Sequence, residues 1–128
     1  MGFLTEAETI RYLDERTAGS ELVLFTDPPT KVGTDGTEVV GGGYLRPAVP
    51  FAPATAGTFG QTGKVANDSG VTIPNMPVAS TAVQGFGLAD AATDEIWYVD
   101  PDWTPTKPFA AGEDFHADAG SLVIYGEN

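Results

Sequence analysis

Turn residues punctuate this chain from Gly19 to its end, and they limit what it can become more than any other feature. Sixteen glycines and ten prolines occur among 128 residues with no short period. That pattern excludes a collagen-like repeat and calls for many turns between short elements. Only the N-terminal stretch 5–17, TEAETIRYLDERT, carries a helical pattern. Thr5 and Glu8 form a capping box, in which each supplies an acceptor to an orphan amide of the first turn. Leu4, Ala7, Ile10 and Leu13 recur at three-residue spacing and mark the face expected to pack. Arg11 and Glu15 sit one turn apart and are expected to pair weakly. Ala18-Gly19-Ser20 stops the helix.

Everything after the helix reads as short strands between turn signals. Leu22–Phe25 is a continuous apolar run ended by Asp27-Pro28-Pro29. Gly43–Arg46 starts another candidate strand, which Pro47 and Pro50 push to a sheet edge because proline cannot donate to a ladder. Residues 52–63 are small and polar and read as an exposed loop. Val71-Thr72-Ile73 alternates before Pro74. Val83–Ala89 and Glu95–Val99 flank a five-residue hairpin loop, and Asp114–Ala117 and Ser121–Tyr125 bracket a second hairpin at Asp118-Ala119-Gly120. The fold class that follows is all-β: an antiparallel β-sandwich of about seven or eight short strands with one short N-terminal helix. Neither an internal repeat nor a linker divides the sequence, so residues 1–128 are expected to form one domain.

Charge narrows the range of partners. The formal net charge is −12, with eight acids and five bases in residues 1–64 and ten acids and one base, Lys107, in residues 65–128. A surface of that sign repels nucleic-acid phosphates and anionic lipid, so neither nucleic acid nor a membrane is an expected partner. No run approaches the roughly 20 apolar residues needed to cross a bilayer. The start MGFLTEAETIRY lacks the basic and apolar regions of a secretory signal, and Glu6 breaks the myristoylation pattern. A soluble protein is expected. With no cysteine, disulfides, thiolate metal sites and a cysteine nucleophile are excluded together. Thirteen aromatic residues are ample for a packed core.

Four features invite a chemical reading, and each has a plainer one. The glycine-rich stretch Gly33–Phe51, GTDGTEVVGGGYLRPAVPF, has neither the lysine of a phosphate-binding loop nor a following helix, and reads as a flexible approach to the strand holding Tyr44 and Arg46. His116, the only histidine, stands in the alternation Phe115-His116-Ala117 with no nucleophile elbow in the chain, and reads as a surface strand position. Asp100-Pro101-Asp102 and Glu113-Asp114 have the oxygen ligands calcium prefers but no EF-hand pattern, and read as a solvated acidic rim. Trp97, Tyr98 and Trp103 beside those acids suit either a sugar-stacking patch or a core or subunit interface. No catalytic, cofactor or metal residue is assigned.

The order of the segments is more specific than any one of them. A helix and apolar strand lead to G-T-E-V-x-G-G-x-Y-x-R (Gly36 to Arg46), then V-T-I-P (Val71 to Pro74), F-G-L-A-D-A-A-T (Phe86 to Thr93), A-G-E-D-F (Ala111 to Phe115) and G-S-L-V-I (Gly120 to Ile124). This ordered set resembles a family of small bacteriophage virion proteins labelled tail-fibre or minor-tail proteins. Two departures stand out: Asp94-Glu95 where the family often has glycines, and Pro47 where a strand usually continues. The resemblance implies a non-enzymatic β-rich component of the virion, assembled in the bacterial cytoplasm and present in several copies, with other virion proteins as partners. Capsid decoration, with trimers at three-fold positions, and a carbohydrate-binding sandwich using Trp97, Tyr98 or Trp103 on cell-surface glycans are the alternatives. Leu4, Ile10, Leu13, Tyr44 and Arg46 are the candidate interface residues.

Overall fold

The computed structural model describes residues 5–30, 35–56 and 61–127. Their order is α1 (Glu6–Thr17), β1 (Ser20–Asp27), β2 (Thr37–Glu38), β3 (Gln61–Ala66), β4 (Val71–Ile73), a 3-10 turn at Ser80–Ala82, β5 (Phe86–Asp90), β6 (Ile96–Asp100), β7 (Phe115–Ala117) and β8 (Val123–Glu127). Among the described residues every strand pairing is antiparallel, so the all-β class holds there with one α-helix and eight strands. The chain forms two compact units. One comprises Met1–Ala18, Pro50–Gly70 and Asp118–Asn128, and the other Gly19–Val49 and Val71–Ala117.

In the first unit α1 lies on the β3–β8 ribbon. Thr5 caps the helix by accepting a hydrogen bond from Glu8 N at 3.4 Å. The buried face is Thr9, Leu13 and Thr17, at four-residue spacing. The expected face differs: Ala7 is exposed and Ile10 half-buried, while Leu4 lies outside the described residues. Two threonines can be buried because each donates its hydroxyl to a carbonyl one turn back, Thr9 Oγ1 to Thr5 O at 3.0 Å and Thr17 Oγ1 to Leu13 O at 2.7 Å. Arg11 pairs with Glu8 rather than Glu15. Beneath the helix, Gly63 and Gly126 face each other across the ribbon, and their missing side chains leave room for Thr9 and Leu13. Phe51–Thr55 runs along the other edge of β3, bridging Asn67 and Lys64.

The expected hairpin at Asp118–Gly120 does not form. Residues Asp118 to Ser121 do turn, with Ser121 N donating to Asp118 O at 3.1 Å. However, β7 pairs with β4 and β8 with β3. Asn67, 2% exposed, redirects the chain: its side-chain amide donates to Asp118 O at 3.0 Å, and its Oδ1 accepts from Leu122 N at 2.9 Å. A buried amide with both ends satisfied outcompetes the local hairpin.

The second unit holds a four-stranded sheet in the order β2-β1-β5-β6 and the β4–β7 ribbon. The Leu22–Phe25 run is buried on both faces of β1. Strand register puts Leu22, Leu24, Phe86, Leu88 and Tyr98 on one face, and Val23, Gly87, Ala89, Ile96 and Val99 on the other. On the first face the rings of Phe86, Trp103 and Phe115 follow one another at 5.2 and 6.3 Å, linking β5 to β7. Offset and edge-on rings at such spacing add to the area they bury. Sheet and ribbon thus share an aromatic core, as in a sandwich. The opposite face carries a smaller cluster of Val23, Phe25 and Ala89, with Ile96 and Val99 packed against it.

Candidate functional site

Residues 37–49 close the outer edge of β1, and they do so largely without forming a strand. Only Thr37–Glu38 pairs as β2. The expected strand at Gly43–Arg46 is absent because Gly41–Gly43 turn the chain, with Tyr44 N donating to Gly41 O at 3.1 Å. The Tyr44 side chain replaces the missing ladder bond, its hydroxyl accepting from Leu24 N at 3.0 Å. Further along, Leu22 N donates to Pro47 O at 2.9 Å, so the proline that cannot donate serves as an acceptor. Such coverage removes an exposed edge that would otherwise template aggregation.

The polar residues of the signature meet at this edge. Tyr44 donates its hydroxyl hydrogen to Glu38 Oε2 at 2.7 Å. Arg46 grips the same carboxylate with two nitrogens, Nε to Oε2 at 3.0 Å and Nη2 to Oε1 at 2.8 Å, and its Nη1 reaches Asp94 Oδ1 at 3.3 Å. About a quarter of the Glu38 and Arg46 side chains is exposed. Burial by itself would raise the Glu38 carboxyl, but the hydrogen bonds from Arg46 and Tyr44 and the Arg46 charge outweigh it and hold the group below its ordinary value. Burial and the Glu38 hydrogen bond push the Tyr44 phenol far up. The Glu38 hydrogen bond raises the Arg46 guanidinium. A carboxylate that accepts three donors on two oxygens fixes backbone; it is not poised to move a proton.

This cluster was not legible as a unit, since Glu38 and Arg46 stand eight residues apart around a glycine turn. Its effect on stability can be measured. Glu38→Gln is expected to cost about 2 kcal/mol at pH 7, because it breaks a bidentate, partly buried pair. Since the folded value lies below the ordinary 4.5, the contribution is complete above that pH and disappears as pH falls through the folded value. Urea unfolding at pH 7 and pH 3 should therefore show the gap between wild type and variant closing in acid. A gap that persists unchanged would contradict this account of Glu38.

The other expected site residues are spread through the fold. Tyr98 packs its ring on Phe86 at 5.9 Å and Trp97 lies against Tyr98 at 6.1 Å. Trp97 is the extra residue where the β5–β6 register shifts, and its Nε1 donates to Ser20 Oγ at 3.1 Å. Trp103 sits edge-on between Phe86 and Phe115. A groove of about 540 Å³ runs beside β6, bounded by Pro29, Thr30 and Pro101 as well as residues 96–99. The Trp97 and Tyr98 rings lean toward the Phe86 face, whereas Ile96 and Val99 belong to the opposite one. Leu13 is buried on the inner face of α1, and Tyr44 and Arg46 are engaged with Glu38.

Three of the four acids of the expected rim serve backbone amides. Asp100 Oδ1 accepts from Asp102 N at 3.2 Å, Asp114 Oδ1 from Asn75 N at 3.0 Å, and Glu113 Oε1 from Ala110 N at 2.7 Å. Among the described residues no group of three or more His, Cys, Asp or Glu could hold a metal ion. His116 is exposed and pairs with Thr72 Oγ1 at 3.0 Å. No helix of the described residues is long and apolar enough to cross a membrane.

Residues 16–125 match the family model described as podophage GP4 fiber I protein gp80. The chain belongs to this family. No curated protein and no solved structure matches it. The protein is thus a phage fibre structural protein and a virion component that associates with other virion proteins. The matched span includes the whole Glu38–Tyr44–Arg46 cluster.

Proposed function

We propose that this fibre protein is an exposed tail-fibre or minor-tail-like module, attached to the phage particle in several copies by contacts with other virion proteins. The observation that carries the reading is the family match over residues 16–125, because that family is described as a fibre protein. Rigid β structure with a covered sheet edge supports it, since a virion module must stay folded outside the cell without self-templating. Val40 and Leu45, 78% and 79% exposed, flank the fastened turn and are the contact residues we favour, together with Ile10. No step of this role calls for a catalytic group or cofactor.

The test is fractionation. Purified particles should contain the chain by mass spectrometry, and it should co-sediment with isolated tails. Recovery with tail-less heads would favour capsid decoration. Absence from purified particles would overturn the reading.

A further inference from the structure

The face of the β3–β8 ribbon opposite the helix holds a groove of about 330 Å³. Two cross-strand pairs form it: Lys64 opposite Tyr125, and Ala66 opposite Val123. Pro53 and Thr55, on the segment bridged to the edge of β3, line one side. Ala66 and Val123 add small apolar surface to the lining, and the volume lies in the range of small-ligand sites. Tyr125 is 40% exposed, so it offers ring surface to a ligand.

The charge at this groove runs against the rest of the molecule. In a chain of eighteen acids and six Lys and Arg residues, an exposed cation normally finds a carboxylate. Lys64 is exposed, and among the described residues it forms no ion pair and no acid lines the groove. The nearby Asp14 carboxylate is turned to Ala54 N, accepting at 2.8 Å. More distant acids are screened at physiological salt, where the Debye length is about 8 Å.

We propose that this groove binds a carboxylated pyranose, a sugar unit of the uronate class. The ring's C–H face stacks on Tyr125 and Pro53, the electron-rich aromatic face meeting the polarised C–H groups. The carboxylate pairs with the Lys64 ammonium, and the Thr55 hydroxyl is in place for a ring hydroxyl. Apolar wall, one cation and a few hydroxyl partners select this ligand over a neutral sugar or a bare anion. The inference is independent of whether the module sits on tail or head.

The test is a titration of the full ¹⁵N-labelled chain with sodium glucuronate, glucose and sodium acetate, followed by NMR. Glucuronate is expected to shift the amides of Lys64, Ala66 and Tyr125 with a Kd of roughly 1–10 mM. Glucose should bind roughly fivefold more weakly, the loss of one partly exposed charge pair. Lys64→Gln should bring glucuronate down to the glucose level while Lys64→Arg retains it, and Tyr125→Ala should abolish both. These side chains are exposed, so unchanged melting curves verify that the variants fold. The proposal is overturned if glucuronate leaves the groove amides unmoved, if acetate shifts them equally, or if Lys64→Gln changes nothing. An acidic peptide that outcompetes glucuronate at Lys64 would also overturn it, reassigning the groove to a protein partner.

Discussion

Gly43→Ala is expected to destabilise the protein by about 3 kcal/mol, the upper range for forcing atoms into a packed site. A Cβ at Gly43 would stand 2.4 Å from Pro74 O and 3.1 Å from Pro74 C. Both are backbone atoms of the segment leaving β4, so no rotamer change relieves the clash. The turn would have to lift away, breaking the bond from Gly43 N to Asn75 O at 2.8 Å. Tyr44 and Arg46 follow directly and would lose their alignment with Glu38. For a chain of this size that is a fall in Tm of roughly 10 °C. Val40→Ala, three residues away and 78% exposed, is the control and should stay within about 0.5 kcal/mol of wild type. A Gly43→Ala variant as stable as that control would show that the turn does not press on residues 74–75.

Gly126→Ala is expected to be comparably damaging, for a reason local to the other unit. The new Cβ would fall 2.1 Å from Thr9 Cγ2, well inside contact distance. Thr9 is β-branched and buried, with its hydroxyl held by Thr5 O, so the methyl has no free rotamer to escape to. The helix must then shift off the ribbon, at a cost of about 2–3 kcal/mol. Thr9→Ser removes that methyl and keeps the hydroxyl, leaving Thr9 Cβ at 3.6 Å as the nearest neighbour. The double variant Thr9→Ser/Gly126→Ala should therefore be more stable than Gly126→Ala alone, a coupling measurable by urea unfolding. Strict additivity would contradict the contact.

Local rules identified much of this fold. The capping residue Thr5, the apolar run in β1, the alternation of β4 and the loop between β5 and β6 are each written in adjacent residues. In the glycine-rich stretch the Gly43 amide is spent on Asn75 O, and Gly33 lies outside the described residues. What failed depended on partners distant in sequence. The strand expected at Gly43–Arg46 gave way to the turn at Gly41–Gly43, and the Tyr44 hydroxyl takes over the ladder position at Leu24 N. The hairpin at Asp118 was lost to Asn67, fifty-one residues earlier. Strand β3, QTGKVA, has too few apolar residues to announce itself, and its pairing rests on β8 and the glycine bed under α1.

The helix face illustrates the same limit. Three-residue spacing favoured Leu4, Ala7, Ile10 and Leu13, yet a glycine-floored ribbon accepts a small β-branched side chain close to its backbone, and Thr9 fills that role. Of the candidate site, the aromatic residues were visible as a group, but only the register of β5 and β6 reveals toward which face their rings lean. The Glu38–Tyr44–Arg46 fastener was visible only as an ordered string of letters. Its chemistry, a carboxylate held by three donors, explains why those letters go together.

This chain is a structural fibre component of the phage particle, and a cryo-EM reconstruction of particles that carry it is the decisive measurement. The expected result is density on the tail into which both β-rich units fit, in several symmetry-related copies. A particle complete at comparable resolution with no such density would contradict it.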